Sequence, residues 1–337
     1  MKAVAYSVKP FEKEFLAKAN HKKHDITLIS NNLSLETVLY AEGKEAVIVF
    51  TNDDVSAAVI ERLAALGTKY IATRSTRTDH IDILAADHNK IKLANVPDYS
   101  PMAIAEYSAA LAFALNRNIV NTGMLSRRFN FVNDETVGFN FYGKTVGIIG
   151  LGKIGLAVAD IYKGMGCTVI GYDPAFPNEA RHVRPVGLEQ LLELADIISI
   201  HLPPGYTGKH FIDTKTLNKM KDGVMLINTS KGAIINTVDV IAALESGKVG
   251  YLGMDTYENE SGLFFKDHQN GQEKDPLLAS LMALPNVLVT PHQAYLTKEA
   301  LTEIAHQTIN SLDLWQTGKC AGNACVCLTN CSPKNVN

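Results

Sequence analysis

Short apolar runs alternate with amphipathic stretches along most of the chain. In the first hundred residues the apolar runs predict strands at residues 3–7, 26–29, 46–50 and 70–72. Between them lie patterns typical of amphipathic helices, such as residues 55–66. Because the runs are short and mostly apolar, we expect parallel strands that helices cover on both faces. The pattern predicts an α/β fold.

A proline-containing break separates this series from a second one. Pro97 and Pro101 stop regular structure within residues 95–101, and Pro101 can be the first residue of a long helix over residues 102–116. Further strands are predicted at residues 145–149, 168–172, 197–200, 224–227, 251–254 and 287–289. Since 337 residues are too many for one ordinary core, we expect two α/β domains.

Composition and charge narrow the class of protein. Hydrophobic residues make up 46% and charged residues 20%, which is typical of a globular chain. The formal net charge of −3 argues against a main role in coating nucleic acid or an anionic membrane. No run reaches the roughly 18 apolar residues of a membrane span, and the apolar opening is too short for a signal peptide. We expect a cytoplasmic protein with no membrane or nucleic-acid partner.

The five cysteines are distributed unevenly. Cys167 lies in the main body, and the other four fall in the last 18 residues, at Cys320, Cys325, Cys327 and Cys331. Their spacing matches no common zinc or redox pattern. We expect free thiols on a loose tail and no metal cofactor; the alternative is an adventitious or redox-active metal site.

A glycine-rich turn stands where a predicted strand gives way to a predicted helix. It reads Gly150-Leu151-Gly152-Lys153-Ile154-Gly155, the pattern G-x-G-x-x-G. The first glycine permits a tight turn, the second lets a pyrophosphate approach the backbone, and the third lets helix and strand pack closely. The helix N-terminus would offer its unpaired N–H groups to the phosphates. This context favours a dinucleotide site over a glycine turn of an unrelated α/β domain.

The next predicted strand ends in Asp173, 18 residues beyond Gly155. A carboxylate there can accept hydrogen bonds from the hydroxyls of the adenosine ribose, and it repels a 2′-phosphate. Pro174 follows, where an NADP enzyme could carry arginine. The sequence therefore predicts NAD as the cofactor.

Three later strand ends carry charged residues of different types. The first is Asn228-Thr229-Ser230-Lys231, whose lysine can bind an anionic substrate. The alternative is that Lys231 is a solvated loop residue. The second brings Asp255, Glu258 and Glu260, which can orient a histidine or a nicotinamide amide, or form a surface acidic turn. The third carries His292. Reduction of a keto group needs a proton donor that titrates near neutral pH, and histidine suits that role, although a single histidine after a strand is more often structural.

With these motifs the chain resembles the D-isomer-specific 2-hydroxyacid dehydrogenases, most closely the D-lactate dehydrogenase branch. The resemblance covers about residues 2–319. It is carried by the glycine loop with the preceding segment from Tyr142, by Asn228-Thr229-Ser230, by Met254-Asp255-Thr256-Tyr257-Glu258 and by Pro291-His292-Gln293-Ala294. The segment Gly262-Leu263-Phe264-Phe265 is like the lactate branch.

The resemblance implies two Rossmann-like, doubly wound domains with the active site in the cleft between them. A flavodoxin-like substrate domain would comprise residues 1–100, completed by residues 297–337, because the final predicted helix (298–315) would cross back to it. Residues 101–296 would form the NAD-binding Rossmann domain. A homodimer is implied as well, to which the apolar helix at 102–115 is a plausible contributor; its other interpretation is simple core burial.

Roles follow for individual positions. His292 would donate the proton to the keto oxygen, and Glu260 would hold the other imidazole nitrogen. Lys231 would anchor the substrate carboxylate together with the loop that contains Thr76 and Arg77, and Tyr99 would touch substrate. The cofactor would be bound by the glycine loop, Asp173 and Asp255, the last near the nicotinamide carboxamide, and further by His201, Leu202, Pro203, Thr229 and Ser230.

Two positions depart from the family. Lys231 stands where relatives carry arginine, so the charge is kept and the bidentate geometry is lost. A charge-assisted hydrogen bond lost in this way costs about 1.5–3 kcal/mol, roughly ten- to hundredfold in rate. Arg77 stands where relatives usually have glycine, and it either crowds the carboxylate loop or supplies a replacement guanidinium. We hypothesise that the two changes are linked.

The expected activity is NADH-dependent reduction of a short 2-keto acid, most simply pyruvate to D-lactate, by an oxidoreductase that acts on the CH–OH group of 2-hydroxy acids. One alternative is an NAD-binding regulatory protein, like the dehydrogenase-related corepressors, with catalysis weakened at Lys231 and Arg77. Another is a dehydrogenase for a larger 2-keto acid.

Overall fold

The computed structural model describes residues 1–132, 137–203, 209–269 and 275–328. The chain forms two compact units, Met1–Ser100 with the chain from Leu296 onward, and Pro101–Tyr295. The strands are β1 Lys2–Ala5, β2 Asp25–Leu28, β3 Ala46–Val49, β4 Tyr70–Thr73, β5 Lys92–Ala94, β6 Thr145–Ile149, β7 Thr168–Tyr172, β8 Arg184–Pro185, β9 Ile197–Ile200, β10 Val224–Asn228, β11 Val249–Met254 and β12 Val287–Val289.

The α-helices alternate with these strands. They are α1 Lys13–Asn20, α2 Ala57–Ala65, α3 Ile83–His88, α4 Pro101–Asn116, α5 Ile119–Ser126, α6 Lys153–Gly164, α7 Leu188–Leu194, α8 Thr214–Asn218, α9 Thr237–Glu245, α10 Pro276–Met282 and α11 Lys298–Gln316. The predicted α/β fold is confirmed, since both units are parallel sheets flanked by helices.

The first unit contains a parallel five-stranded sheet in the order β2-β1-β3-β4-β5, which is the flavodoxin-like order. Buried apolar residues of β1, β3 and β4 form its centre, as the short apolar runs predict. The helix α11 packs on this sheet, and its Trp315 ring stacks on Tyr70 with 4.9 Å between the ring centroids. The C-terminal helix α11 thus covers the sheet that the N-terminal residues form.

The C-terminal segment corrects one expectation. Beyond α11 the chain returns to the edge strand β5, where Asn95 N–H donates to Ala324 O (2.8 Å) and Val326 N–H donates to Leu93 O (3.2 Å). The Cys327 thiol accepts a hydrogen bond from Leu93 N–H at 3.2 Å. The prediction of a loose tail is therefore wrong for the part of the chain up to Leu328. The unpaired backbone groups of the edge strand β5 bind this segment. Cys331 lies outside the described residues.

The second unit contains a parallel seven-stranded sheet in the order β12-β11-β10-β9-β6-β7-β8. The strand order reverses between β6 and β9, and ligands of open α/β sheets bind at the carboxyl ends of the strands on either side of such a reversal. Gly150 follows β6 and His201 follows β9. The fold therefore brings the glycine loop to the place where a dinucleotide is held.

None of the helices in the described ranges is both long and apolar enough to cross a membrane.

Candidate active site

The glycine loop has the backbone geometry that its sequence predicts. Gly150 has φ +91°, and a Cβ atom there would lie 2.5 Å from His201 O. A Cβ atom on Gly155 would collide with Gly150 O, so this glycine lets α6 approach β6. Gly152 has nothing within 4 Å of its would-be Cβ atom, and it is the N-cap of α6. Open space therefore lies in front of a helix N-terminus that no side chain caps.

Asp173 lies directly after β7, and its carboxylate binds the backbone of the glycine loop. Its Oδ2 accepts a hydrogen bond from Leu151 N–H (2.8 Å), and its Oδ1 accepts one from Ala175 N–H (2.9 Å). Each oxygen keeps acceptor capacity, because a carboxylate oxygen can accept two hydrogen bonds. The carboxylate thus ties the glycine loop to β7 and can still accept hydrogen bonds from ribose hydroxyls.

These residues fit NAD. The uncrowded Gly152 and the N-terminus of α6 suit a pyrophosphate. The Thr229 hydroxyl at the end of β10 is buried and has no hydrogen-bond partner within the described part of the chain. Such a group costs free energy unless a bound molecule or water satisfies it. When bound, NADH supplies a hydride, and the glycine loop, Asp173 and the β10 end would hold it.

His201 belongs to a buried hydrogen-bond chain. Its Nε2 lies 2.8 Å from Ser199 Oγ, which lies 3.0 Å from Ser108 Oγ on α4. Among the described residues Ser108 Oγ has no other partner, so we assign its proton to Ser199, whose own proton then goes to Nε2. Burial lowers the pKa of His201 to about 3. The imidazole is therefore neutral at physiological pH, with its proton on Nδ1.

The two residues after His201 differ in exposure. Leu202 is buried in the core of this unit, whereas Pro203 is exposed. Lys153, at the start of α6, is exposed, and Ile154 is half-buried against the core.

The turn after β10 is organised by Asn228, which is fully buried. Its Oδ1 accepts hydrogen bonds from Ser230 Oγ (2.8 Å) and Ser230 N–H (3.1 Å), and its Nδ2 donates to Lys231 O (3.2 Å). A Cβ atom on Gly232 would collide with the backbone of Tyr257. Lys231 is thus fixed at its backbone between Asn228 and a residue that must be glycine.

His292 and Glu260 form a pair, as the resemblance implies. Nδ1 of His292 lies 3.1 Å from Glu260 Oε1 and 3.2 Å from Oε2. Both side chains are largely buried, at 24% and 17% exposed. His292 has φ +52°, and its N–H donates to Asp255 O at 2.8 Å. The pair leaves Nε2 as the imidazole nitrogen that can exchange a proton with a substrate.

Asp255, at the end of β11, holds the loop that carries His292. Its Oδ1 accepts hydrogen bonds from Thr290 Oγ (2.6 Å) and Gln293 N–H (2.9 Å), and its Oδ2 accepts one from Ala294 N–H (2.8 Å). Asp255 is 1% exposed, and burial raises its pKa. Most of its acceptor capacity is used within the protein, which leaves one position on Oδ2 for a cofactor amide.

The other carboxylate of the acidic cluster has a structural role. Glu258 Oε2 lies 2.8 Å from His210 Nε2, and Oε1 accepts a hydrogen bond from Thr237 N–H at 3.0 Å. These hydrogen bonds hold the pKa of Glu258 below its usual range although burial opposes them. The cluster is thus not a surface acidic turn: Asp255 and Glu260 both bind the loop at residues 290–294, and Glu258 binds His210 and Thr237.

The remaining predicted site residues lie in the first unit. Thr76 is exposed, and its carbonyl accepts a hydrogen bond from Asn95 Nδ2 at 3.0 Å. The Arg77 guanidinium forms a two-pronged pair with Asp79, from Nε (2.9 Å) and from Nη2 (2.8 Å). Tyr99 is half-buried. In this structure Arg77 therefore directs its charge to Asp79, and an exposed pair of this kind is broken at low cost.

Sequence reasoning missed several residues that support this arrangement. They are Thr290, which binds Asp255; Ser199, which binds His201, and Ser108, which binds Ser199; and Tyr107, whose hydroxyl accepts a hydrogen bond from Gln293 Nε2 at 2.7 Å. Hydroxyl residues are common, and these reach the site from three separate elements: α4, β9 and the turn after β12. No local pattern could have identified them.

Comparison with known proteins agrees with this geometry. Residues 109–294 match the family described as D-isomer specific 2-hydroxyacid dehydrogenase, NAD binding domain. D-lactate dehydrogenase of Escherichia coli K12 is 39% identical over 330 residues, covering 97% of this chain and 100% of that protein.

Two solved structures are similar over nearly the whole chain. The pyruvate reductase of Chlamydomonas reinhardtii has a TM-score of 0.92 at 38% identity, covering 96% of this chain and 98% of that one. D-lactate dehydrogenase of Lactobacillus jensenii with NAD+ has a TM-score of 0.81 at 33% identity, covering 96% and 98%. The chain belongs to the D-isomer-specific 2-hydroxyacid dehydrogenase family, and it is an NAD-dependent oxidoreductase that acts on 2-hydroxy acids.

Proposed function

We propose that this chain is a D-lactate dehydrogenase that reduces pyruvate to D-lactate with NADH. The observation that carries the proposal is the pair of His292 and Glu260 on the NAD-binding unit, with Lys231 on a neighbouring strand end. The names of the E. coli and Chlamydomonas relatives support pyruvate as the substrate.

In this proposal His292 donates the proton that the keto oxygen needs as it becomes a hydroxyl. Because Glu260 binds Nδ1, the proton leaves from Nε2. Glu260 holds Nδ1 and offsets the positive charge of the protonated imidazole. After the reaction the neutral imidazole takes up a proton from solvent.

Lys231 binds the substrate carboxylate through its ammonium group. Its backbone is fixed by Asn228, so the flexible side chain starts from a defined point. An ammonium provides the charge without the fork of a guanidinium, and we therefore expect catalysis weaker than an arginine would give.

We also propose that one unit binds substrate and the other binds NAD. Residues 1–100 with 297–337 would bind substrate, through the backbone at Thr76 and Arg77 and through Tyr99. Residues 101–296 would bind NAD through the glycine loop, Asp173, His201, the backbone of Leu202 and Pro203, Thr229, Ser230 and Asp255.

The test is a substrate panel. Purified protein is mixed with NADH and pyruvate, phenylpyruvate or 2-ketoisocaproate, oxidation of NADH is followed by absorbance, and the chirality of the product is measured. Pyruvate as the best substrate with D-lactate as the product supports the proposal. A preference for either larger keto acid contradicts the lactate assignment, and L-lactate contradicts the stereochemistry.

We further propose a homodimer. Exposed apolar side chains crowd α5 and the residues after it, at Ile119, Val120, Met124, Leu125, Phe129, Phe131 and Val132. Exposed apolar side chains grouped along one segment are typical of an interaction surface. The helix α4 contributes little, because Met102 and Phe113 are its only large apolar side chains that are exposed in the structure as described.

Sedimentation at micromolar concentration tests the homodimer. The wild type should sediment as a dimer, and Met124→Glu should sediment as a monomer; a monomeric wild type would contradict the proposal.

A further inference from the structure

Phe265 has a backbone conformation that phenylalanine rarely adopts. Its φ is +67°, in the left-handed region where the Cβ atom of an L residue is crowded by the following carbonyl oxygen. Strain of this kind persists only where the surrounding structure holds it, and it is concentrated at functional sites. The conformation therefore requires a reason other than local preference.

Phe265 faces His292, whose backbone is also in the left-handed region. His292 has φ +52°, and the centroids of the two rings are 5.8 Å apart at an interplanar angle of 37°. A ring pair at this distance and tilt is an ordinary attractive aromatic contact. Two strained residues from separate segments thus bring their rings together.

The segment before Phe265 is held firmly enough to impose the strain. Glu260 O accepts hydrogen bonds from Leu263 N–H (3.0 Å) and Phe264 N–H (2.9 Å). Leu263 and Phe264 also pack on the core of the unit. This turn begins at Glu260, so it places the carboxylate and the Phe265 ring on the same imidazole.

Glu260 alone does not fix the plane of the imidazole. Its two oxygens lie at nearly equal distances from Nδ1, 3.1 and 3.2 Å, so a small rotation of the ring about its Cβ–Cγ bond exchanges one acceptor for the other. The terminal torsion of histidine is soft. A second contact on the ring itself is needed to direct Nε2 to one place.

We infer that Phe265 is a positioning residue for the proton donor: its ring packs beside His292 and sets the plane of the imidazole, and the left-handed backbone is the conformation that allows it. This inference rests on the proposed function, in which His292 supplies the proton. Phe265 acts through His292, so its loss slows the chemical step and leaves NADH binding unchanged.

The test separates the ring from the backbone strain. Phe265→Ala removes the ring and keeps the strain, Phe265→Gly removes both, and Phe265→Tyr keeps the ring. We expect Ala and Gly to lower kcat equally, on the order of ten- to hundredfold as for a displaced catalytic group. We expect the Gly variant to melt at a higher temperature than the Ala variant, and the Tyr variant to retain wild-type kcat.

Two readouts exclude a merely structural role. The dissociation constant of NADH, from its fluorescence, should stay at the wild-type value in all three variants. The isotope effect with NADH deuterated at the transferred position should increase in the Ala and Gly variants, because the chemical step becomes limiting. Lys90 is exposed and left-handed with φ +57°, so Lys90→Gly is a matched control that should raise the melting temperature without changing kcat.

An active wild type together with wild-type kcat in Phe265→Gly would overturn this inference alone, since the ring would then not matter. Weaker NADH binding in step with the fall in kcat would also overturn it. A wild type inactive with every keto acid would overturn the proposed function, and this inference with it.

Discussion

Asp255 Oδ1 lies 2.6 Å from Thr290 Oγ, and this hydrogen bond joins the end of β11 to the loop that carries His292. The same carboxylate also accepts hydrogen bonds from the N–H groups of Gln293 and Ala294. One buried side chain thus determines the path of a loop of which His292 is the central residue. The geometry of the proton donor therefore depends on Asp255 as well as on Glu260.

Asp255→Asn should lower kcat by at least about tenfold, the effect of one lost hydrogen bond to a charged group. The amide keeps the shape of the carboxylate, but its N–H₂ group replaces one of the two oxygens. It must then face either the Thr290 hydroxyl and Gln293 N–H or Ala294 N–H, and two donors that face each other form no hydrogen bond. Steady-state kinetics and a thermal melt would measure the effect. Thr290→Ser keeps the hydroxyl and is the control; unchanged turnover in Asp255→Asn would show that the loop does not need this carboxylate.

Lys231→Arg should raise kcat/KM for pyruvate by roughly ten- to hundredfold, because a guanidinium binds a carboxylate through two parallel hydrogen bonds. Lys231→Met, which keeps the length and removes the charge, should abolish measurable turnover. Kinetics with pyruvate at saturating NADH give both values. If the arginine variant were slower than the wild type, the lysine would be the better anchor in this chain and the ammonium would not be a weakened substitute.

Asp173→Asn should shift the preference between cofactors toward NADPH by on the order of tenfold, which corresponds to 1.4 kcal/mol. The substitution removes the negative charge that repels a 2′-phosphate and keeps an acceptor for Leu151 N–H. The ratio of kcat/KM for NADPH and NADH measures it. An unchanged ratio would mean that Asp173 only ties the glycine loop to β7.

Folding stability should fall as pH decreases from 6.5, in part because of His80. Burial lowers the pKa of His80 to about 4, and neither ring nitrogen has a hydrogen-bond partner in the part of the chain described. The unfolded chain takes up a proton near pH 6.5 and the folded chain does not, so the unfolded state binds more protons in this window. Between pH 7.5 and 5 the contribution is about 2 kcal/mol.

Urea unfolding at pH 7.5 and pH 5 tests this contribution. His80→Asn should lose about 2 kcal/mol less than the wild type between these pH values. His306 is exposed, and His306→Asn is the control that should behave like the wild type. Equal losses in His80→Asn and the wild type would show that His80 is protonated as easily in the folded state as in the unfolded one.

The sequence predicted those parts of the site that depend on local order. The glycine loop and Asp173 directly follow an apolar run, and Lys231 and His292 follow one within four residues, so the strand pattern alone brings them to the carboxyl ends of parallel strands. The pairing of His292 with Glu260 came from the family resemblance. Their distance along the chain carries no local signal.

The parts that were missed depend on tertiary contacts. β5 has only three residues, begins with a lysine and is defined by its pairing with β4. The C-terminal cysteine segment looked unstructured because its composition is that of a tail, yet it binds the open edge of β5. The strain at Phe265 is a backbone property that side-chain patterns do not encode.

The most direct test of the account is the role of His292 in turnover. Wild type and His292→Asn are compared for reduction of pyruvate by NADH at pH 7, with the dissociation constant of NADH measured for both. We predict D-lactate from the wild type, and from the variant a kcat lower by about a hundredfold or more, as for loss of a general acid, with unchanged NADH binding. Near-native turnover in His292→Asn would contradict the account, because the proton would then come from another group.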